Sequence, residues 1–126
     1  MPDTKYTTSH EWVRMDGGDV VTIGITDHAQ TALGDVVFVE LPEVGREIAQ
    51  GQQAAVVESV KAASEVYAPV GGLVVERNER LDKDHKLVNE AAEGEGWFFK
   101  LRLKDPAEVG SLMNRAAYES YVATLT

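Results

Sequence analysis

The chain has 126 residues, and 44% of them are hydrophobic, which is enough for one ordinary globular domain with a single core. Its 12 basic and 21 acidic residues give a formal net charge of −9, which would repel phosphate backbones and anionic lipid surfaces, so we expect no nucleic-acid or membrane partner. There are no cysteines, which excludes disulfides, thiolate metal sites and cysteine nucleophiles. Any redox chemistry must therefore come from an attached group.

The first residues, MPDTKYTTSHEW, carry neither the apolar centre of a signal peptide nor the Arg-rich pattern of a transit peptide. No apolar run approaches the length that spans a membrane. We therefore expect a chain that is either cytosolic or already processed.

Short strands account for most of the predicted structure, because apolar residues alternate between glycine-containing turns. Residues 11–15 and 20–25 are predicted to pair as a hairpin around the turn sequence DGGD. The apolar face of this hairpin is formed by Val21, Ile23 and Ile25. Thr26 then caps a short helix, DHAQTAL, which ends at Gly34, and a very apolar strand follows at 36–41.

The later part of the chain shows the clearest alternation. A strand at 73–77 precedes the last predicted strand, 97–103. In that last strand the predicted inward residues are Trp97, Phe99, Leu101 and Leu103, and the predicted outward residues are Phe98, Lys100 and Arg102. The sequence DPAE at 105–108 is typical of a helix start, so the chain is predicted to end in helix, with a break near Asn114.

Many short strands with few helices between them favour a mainly all-β fold over alternating strands and helices. We predict an antiparallel β-sandwich or flattened barrel, formed by residues 1–126 as one domain. The helices are expected to be short and peripheral, with one at the C-terminus.

Lys61 interrupts the segment VVESVKAASEVYAP, between strands predicted at 54–60 and 62–68, so it is expected at the tip of a hairpin. A lysine on an exposed turn is most often there for solubility. Here, however, Val60 and Ala62 stand where glycine, asparagine, aspartate or proline would be usual. An amine held in water is accessible to a modifying enzyme, whereas a catalytic lysine needs an apolar pocket. We therefore predict that Lys61 is acylated.

Five blocks of sequence occur in a fixed order along nearly the whole chain. They are SHEWV at 9–13, VTIGITDHAQ at 21–30, LGDVVFVELPEVG at 33–45, VVESVKAASEVYAPV at 56–70 and EGEGWFFKL at 93–101. In this set and order they closely resemble the H proteins of the glycine cleavage system. The resemblance implies a barrel-sandwich hybrid, with two antiparallel sheets, in which Lys61 carries lipoic acid in amide linkage.

The resemblance also implies a non-catalytic carrier. Its lipoyl group would accept methylamine as a pyridoxal-phosphate glycine decarboxylase subunit acts on glycine. A tetrahydrofolate-dependent aminomethyltransferase would then take the one-carbon unit and release ammonia, and dihydrolipoyl dehydrogenase would reoxidise the dithiol. Lipoyl-attaching enzymes would be further partners. The carrier would be a monomer, cytoplasmic in a bacterium or in the mitochondrial matrix if it is a processed eukaryotic form.

Other carriers share a lysine at a hairpin tip. A biotinyl carrier usually presents its lysine between methionines, and a lipoyl domain of a 2-oxo acid dehydrogenase is shorter and usually has aspartate directly before the lysine; neither pattern occurs here. An H-protein-like interaction module, or a protein that relays lipoate without mainly serving glycine cleavage, stays open as an alternative.

By the same resemblance, Ser9, Glu11 and Glu65 would line the cleft that holds the loaded lipoyl arm. The alternative for Glu11 and Glu65 is an ordinary solvated strand face. Some family members have histidine where this chain has Ala32, so a histidine-assisted arm is not expected. We expect no metal site, because the three histidines His10, His28 and His85 lack metal-ligand spacing.

Overall fold

The computed structural model describes residues 4–15 and 18–125. Nine strands occur in these residues: β1 (Thr4–Tyr6), β2 (Glu11–Met15), β3 (Val20–Ile25), β4 (Val36–Glu40), β5 (Glu47–Ile48), β6 (Gln53–Ser59), β7 (Ala63–Tyr67), β8 (Gly72–Arg77) and β9 (Phe99–Leu103). Six strands form one antiparallel sheet in the order β1-β2-β3-β9-β8-β5, and three form a second in the order β4-β6-β7. This arrangement confirms the predicted mainly β fold of two antiparallel sheets.

Five short helices connect or flank the strands in the part of the chain that the structure describes. They are α1 (Asp27–Leu33), α2 (Arg80–Lys83), α3 (Lys86–Glu90), α4 (Ala107–Gly110) and α5 (Arg115–Ala123). The predicted break at Asn114 is confirmed, because the Asn114 side chain accepts a hydrogen bond from Ala117 N at 2.8 Å and so caps the start of α5. Asp105 caps the preceding turn through Ala107 N at 3.0 Å.

The predicted β2–β3 hairpin is present, with Glu11 opposite Ile25 and Met15 opposite Val21. Two of its four turn residues, Asp16 and Gly17, lie outside the described residues. The shared apolar face of β3 is confirmed, since all three of its members, Val21, Ile23 and Ile25, are buried.

The main core lies between the two sheets and draws buried side chains from both. From the six-stranded sheet it includes Val13, Ile23 and Leu101, and from the three-stranded sheet Val39, Val57 and Val66. The helical segment after β8 adds Leu81, Leu87 and Val88 to the same core. Sequence alternation alone did not indicate α2 and α3, although α3 proves important for the site.

A second apolar cluster of Tyr6, Trp12 and Tyr118 packs α5 against the first strands. The ring of Trp12 lies so close to Gly24 that a Cβ there would approach it to 2.8 Å, so only glycine fits. Trp12 Nε1 also donates to Ala92 O at 2.9 Å. The C-terminal helix is therefore fixed on the side of the first sheet that faces away from the main core.

The predicted alternation over 97–103 is wrong at its first two residues. Phe98, predicted to point outward, is 0% exposed, whereas Trp97 is only partly buried and packs against the second cluster. The reason is that β9 begins at Phe99, so the two-residue period does not extend back through the turn before it. From Phe99 onward the prediction holds, with Leu101 buried and Arg102 exposed.

Candidate functional site

The lysine hairpin is formed by β6 and β7, whose last cross-strand pair before the tip is Glu58 with Ala63. Ser59 organises the tip. Its N donates to Ala62 O at 2.8 Å, and its Oγ accepts from Lys61 N and Ala62 N, both at 3.2 Å. A serine hydroxyl thus stabilises a tight turn of the kind that usually contains glycine, asparagine or proline. The predicted place of Lys61 at the hairpin tip is confirmed.

The Lys61 side chain is exposed, and its aliphatic part lies over Gly34 at the end of α1. A Cβ on Gly34 would come to 3.3 Å from Lys61 Cε. Gly34 also has φ 81° and ψ −156°, a backbone conformation that is open essentially only to glycine. Glycine at this position therefore serves two purposes: it ends the helix, and it leaves room for the lysine stem.

The surroundings of the amine favour an accessible, unpaired group. Val60, beside it, is 67% exposed, so the residue that precedes the lysine is also open to solvent. Within the described ranges, 4–15 and 18–125, no carboxylate forms an ion pair with Lys61. The geometry suits a lysine that is presented to another protein.

Glu11 is a buried carboxylate rather than a solvated strand residue, so that alternative is wrong for it: its side chain is only 2% exposed. It accepts hydrogen bonds from Thr7 Oγ1 at 2.7 Å and from Tyr67 N at 3.3 Å, and the Ser9 side chain also bonds to it. Burial raises the pKa of Glu11 above the ordinary glutamate value, and the three hydrogen bonds partly offset this shift.

Glu65 is exposed on β7, and its Oε2 accepts a hydrogen bond from Tyr67 Oη at 2.6 Å. This bond is the main cause of the raised pKa of Tyr67. Tyr67 therefore touches both carboxylates, with its backbone N on Glu11 and its hydroxyl on Glu65. The structure thus brings Ser9, Glu11 and Glu65 together around Tyr67, a residue that the sequence did not single out.

The signal that could have found Tyr67 is its position two residues after Glu65, which places both side chains on one face of a strand. Ala63 begins β7 at the hairpin tip, and Tyr67 lies four residues further along this strand. At about 3.3 Å per residue, the two residues are roughly 13 Å apart. The acidic cluster is therefore well separated from the lysine backbone, beyond the reach of a lysine side chain of about 6 Å.

Removing the charge of Glu11 is expected to stabilise the protein at neutral pH. Because the pKa of Glu11 is raised on folding, the folded state binds its proton more tightly than the unfolded state, so stability falls as pH rises through the window between the ordinary and the raised value. Glu11→Gln keeps an oxygen that accepts the hydrogen bond from Tyr67 N, but glutamine does not ionise. The variant therefore does not lose stability as pH rises through this window.

The measurement is the free energy of unfolding of both proteins by denaturant, at neutral pH and below the ordinary glutamate pKa of about 4.3. The advantage of the glutamine variant should shrink at the lower pH. A constant difference at both pH values would show that Glu11 ionisation does not affect stability.

Two of the three histidines are far apart in sequence but close together in the fold. His10 and His28 lie with ring centroids 4.5 Å apart, and His10 Nδ1 is hydrogen-bonded to Tyr118 Oη at 2.8 Å. Burial, and to a lesser extent His28, lowers the pKa of His10. Over the residues that the structure describes, no group of three or more His, Asp or Glu side chains is arranged to hold a metal ion. The pair fixes α1 and α5 near the N-terminal strands.

Ala32 is exposed on α1, two residues before Gly34. Its methyl group cannot donate or accept a hydrogen bond, so this position contributes no polar contact to the lysine tip. No helix in the described part of the chain is long and apolar enough to cross a membrane.

Two antiparallel sheets that enclose one core and present an exposed lysine at a hairpin tip define the class of lipoyl- and biotinyl-type carrier domains. Within that class, the family model described as "Glycine cleavage H-protein" matches residues 4–125. The chain belongs to the glycine cleavage H-protein family.

Relatives and a solved structure agree with this assignment. The chain is 62% identical to the glycine cleavage system H protein of Parvibaculum lavamentivorans over 99% of both chains, and 59% identical to that of Paramagnetospirillum magneticum over the same shares. The crystal structure of a glycine cleavage system H protein from Mycobacterium marinum has a TM-score of 0.84 to this chain, at 34% identity, and the match covers 98% of this chain and 96% of that chain. The barrel-sandwich fold is thereby confirmed.

Proposed function

We propose that this chain is the lipoyl carrier of a glycine cleavage system, with lipoic acid attached to Lys61 by an amide bond. The observation that carries the proposal is the exposed lysine on a hairpin tip that Ser59 shapes, in a chain of the H-protein family. When bound, the lipoyl group would supply the disulfide that accepts methylamine and the thiols that are later reoxidised. The protein itself would act as a non-catalytic shuttle, folded as one carrier domain over 1–126.

The residues present fit such a group. Gly34 leaves space beside the lysine stem, and the acidic cluster lies farther along β7 than an unmodified lysine side chain reaches. Ser9, Glu11 and Glu65 would hold the cargo amine, with Tyr67 ordering the two carboxylates. The negative charge of a buried carboxylate attracts an ammonium more strongly than a solvated one does, because fewer waters screen it.

The proposed partners are the glycine decarboxylase subunit, aminomethyltransferase, dihydrolipoyl dehydrogenase and the lipoyl-attaching enzymes. Each must reach the same arm, and an exposed hairpin tip allows this without unfolding the carrier. The net charge of −9 would favour basic surfaces on these partners. We propose a monomer in the bacterial cytoplasm, in keeping with the bacterial relatives.

The test combines intact-protein mass spectrometry with a reconstituted assay. Protein produced with an active lipoyl-attaching enzyme should gain one lipoyl mass on Lys61 and should then support glycine decarboxylation by the decarboxylase subunit. Failure to gain this mass would overturn the carrier proposal. A lipoylated protein that supports no decarboxylation, yet passes lipoate to other acceptors, would identify a relay protein instead.

Moving the lysine by one residue should impair its modification. Val60 N is tied to Asp35 O at 3.0 Å, and Lys61 alone lies over Gly34, so the two positions present their side chains differently. The double change Val60→Lys with Lys61→Val keeps the composition but should slow lipoylation by about tenfold, since a small misplacement of a reacting atom is costly. The measurement is the initial rate of lipoyl incorporation. Wild-type rates for this variant would show that the modifying enzyme does not read the position of the lysine.

A further inference from the structure

Asn89 on α3 uses every part of its carboxamide to hold the loop between α1 and β4. Its Nδ2 donates to Gly34 O at 2.9 Å and to Gln30 Oε1 at 3.1 Å, and its Oδ1 accepts from Val36 N at 2.9 Å. The orientation of the amide follows from these partners, because two are acceptors and one is a donor. The loop at 34–36 is thus fixed by a side chain more than fifty residues away in sequence.

Each residue of this loop supports one residue of the lysine tip. Gly34 lies beneath the stem of Lys61, Asp35 O accepts from Val60 N at 3.0 Å, and Val36 pairs with Ser59 in the second sheet. Val60, Lys61 and Ala62 are all exposed, and Ser59 is partly exposed. With no core of its own, the tip depends on this loop for its place.

We propose that Asn89 is a positioning residue for the modification of Lys61. By fixing the loop at 34–36 it fixes the support of the hairpin tip, and thereby the point at which the amine meets a lipoyl-attaching enzyme. This inference rests on the proposed function, because it takes Lys61 as the modified residue. Asn89 itself does not touch the amine; it acts through the backbone of the loop.

Asn78 provides a matched control. Its Nδ2 also donates to two acceptors, Glu95 O at 2.9 Å and Trp97 O at 2.8 Å, and its side chain is buried. These bonds brace the turn before β9 rather than the loop at 34–36. The same substitution at Asn78 therefore removes comparable hydrogen bonds without loosening the support of Lys61.

The experiment compares Asn89→Asp, Asn89→Ala and Asn78→Asp with the wild-type protein as substrates of a purified lipoate–protein ligase supplied with lipoate and ATP. Asn89→Asp keeps an oxygen for Val36 N but turns an oxygen toward Gly34 O and Gln30 Oε1, and Asn89→Ala removes all three bonds without adding charge. Both should lower kcat by about tenfold, because the amine is misplaced. KM should change little, since the surface that docks on the enzyme remains folded.

Backbone amide exchange at Val60 gives a second readout that does not require modification. It should be faster in both Asn89 variants and unchanged in Asn78→Asp, because, of these two asparagines, Asn89 is the one that bonds to the loop whose Asp35 O accepts the Val60 N–H. Asn78→Asp should lose at least as much thermal stability as Asn89→Asp, yet be lipoylated at the wild-type rate.

Wild-type kcat in both Asn89 variants would overturn the proposal, and so would an equal loss of kcat in Asn78→Asp, which would attribute the effect to general instability. If the wild-type protein itself gains no lipoyl mass on Lys61, the proposed function is what fails. In that case the Val60 exchange rates still decide whether Asn89 holds the tip, so the two failures are distinguishable.

Discussion

Lys61→Arg is expected to abolish lipoylation and all methylamine-carrying activity while the protein folds normally. Arginine keeps the charge and similar length, but its guanidinium stays protonated and does not form the lipoyl amide. The exposed side chain makes no ion pair within the described residues, so the free energy of unfolding should change by no more than about 0.5 kcal/mol.

The measurements for Lys61→Arg are intact mass, denaturant unfolding and glycine decarboxylation with the partner subunits. Lys83→Arg, at an exposed position of α2, is the matched control and should keep both the lipoyl mass and the activity. A lipoyl mass on Lys61→Arg would show that another lysine accepts the group, and the assignment of Lys61 would then be wrong.

The hairpin could be predicted because its determinants are local. Two short runs rich in alanine and valine predict β6 and β7, and Lys61 falls between them, so a few consecutive residues contain the information. The same holds for α1, which begins after Thr26 and ends at Gly34 as expected, since capping depends on nearest neighbours in sequence.

The support of that hairpin could not be predicted in this way. The bonds from Asn89 to Gly34 and Val36 span 55 and 53 residues, and an asparagine in a short helix gives no sign of where its amide will point. Helices α2 and α3 are themselves too short to show a helical period, so burial of Leu81 and Leu87 becomes visible only in the folded chain.

Burial of Glu11 was missed for a related reason. Glutamate in a strand next to a turn is usually solvated. Here the segment before β2 folds back, helped by His10 with φ 69°, and brings the hydroxyl of Thr7 onto the carboxylate. On the other side Tyr67 N closes the site. Such an enclosure combines a local turn with a strand 56 residues away, and only the first part is encoded near Glu11.

A buried carboxylate with a raised pKa lowers stability at neutral pH, as the sign of its titration shows. Replacing it by an uncharged residue would be the simpler way to stabilise the fold. In the proposed carrier the cargo amine is a positively charged group, and Glu11, between Ser9 and Tyr67, is the buried carboxylate proposed to meet it.

Glu11→Gln is accordingly expected to release its cargo to water faster. Because Glu11 is shielded from solvent, a charge-assisted hydrogen bond to the cargo ammonium would be worth about 1.5 to 3 kcal/mol. Loss of that bond corresponds to roughly a ten- to hundredfold faster spontaneous release of ammonia. Lipoylation should be unaffected, since Glu11 lies on β2 and bonds to the lysine hairpin at Tyr67, the end of β7 that is farthest from Lys61.

The measurement is the rate of ammonia release from methylamine-loaded protein in the absence of the aminomethyltransferase. Glu58→Gln, at an exposed position on β6 of the lysine hairpin, makes the same chemical change outside the cluster and should behave like the wild type. A faster release in Glu11→Gln alone would show that the buried charge protects the cargo, because general changes in net charge are matched in the control. Equal rates in all three proteins would mean that the charge of Glu11 does not hold the amine, and its stability cost would then need another explanation.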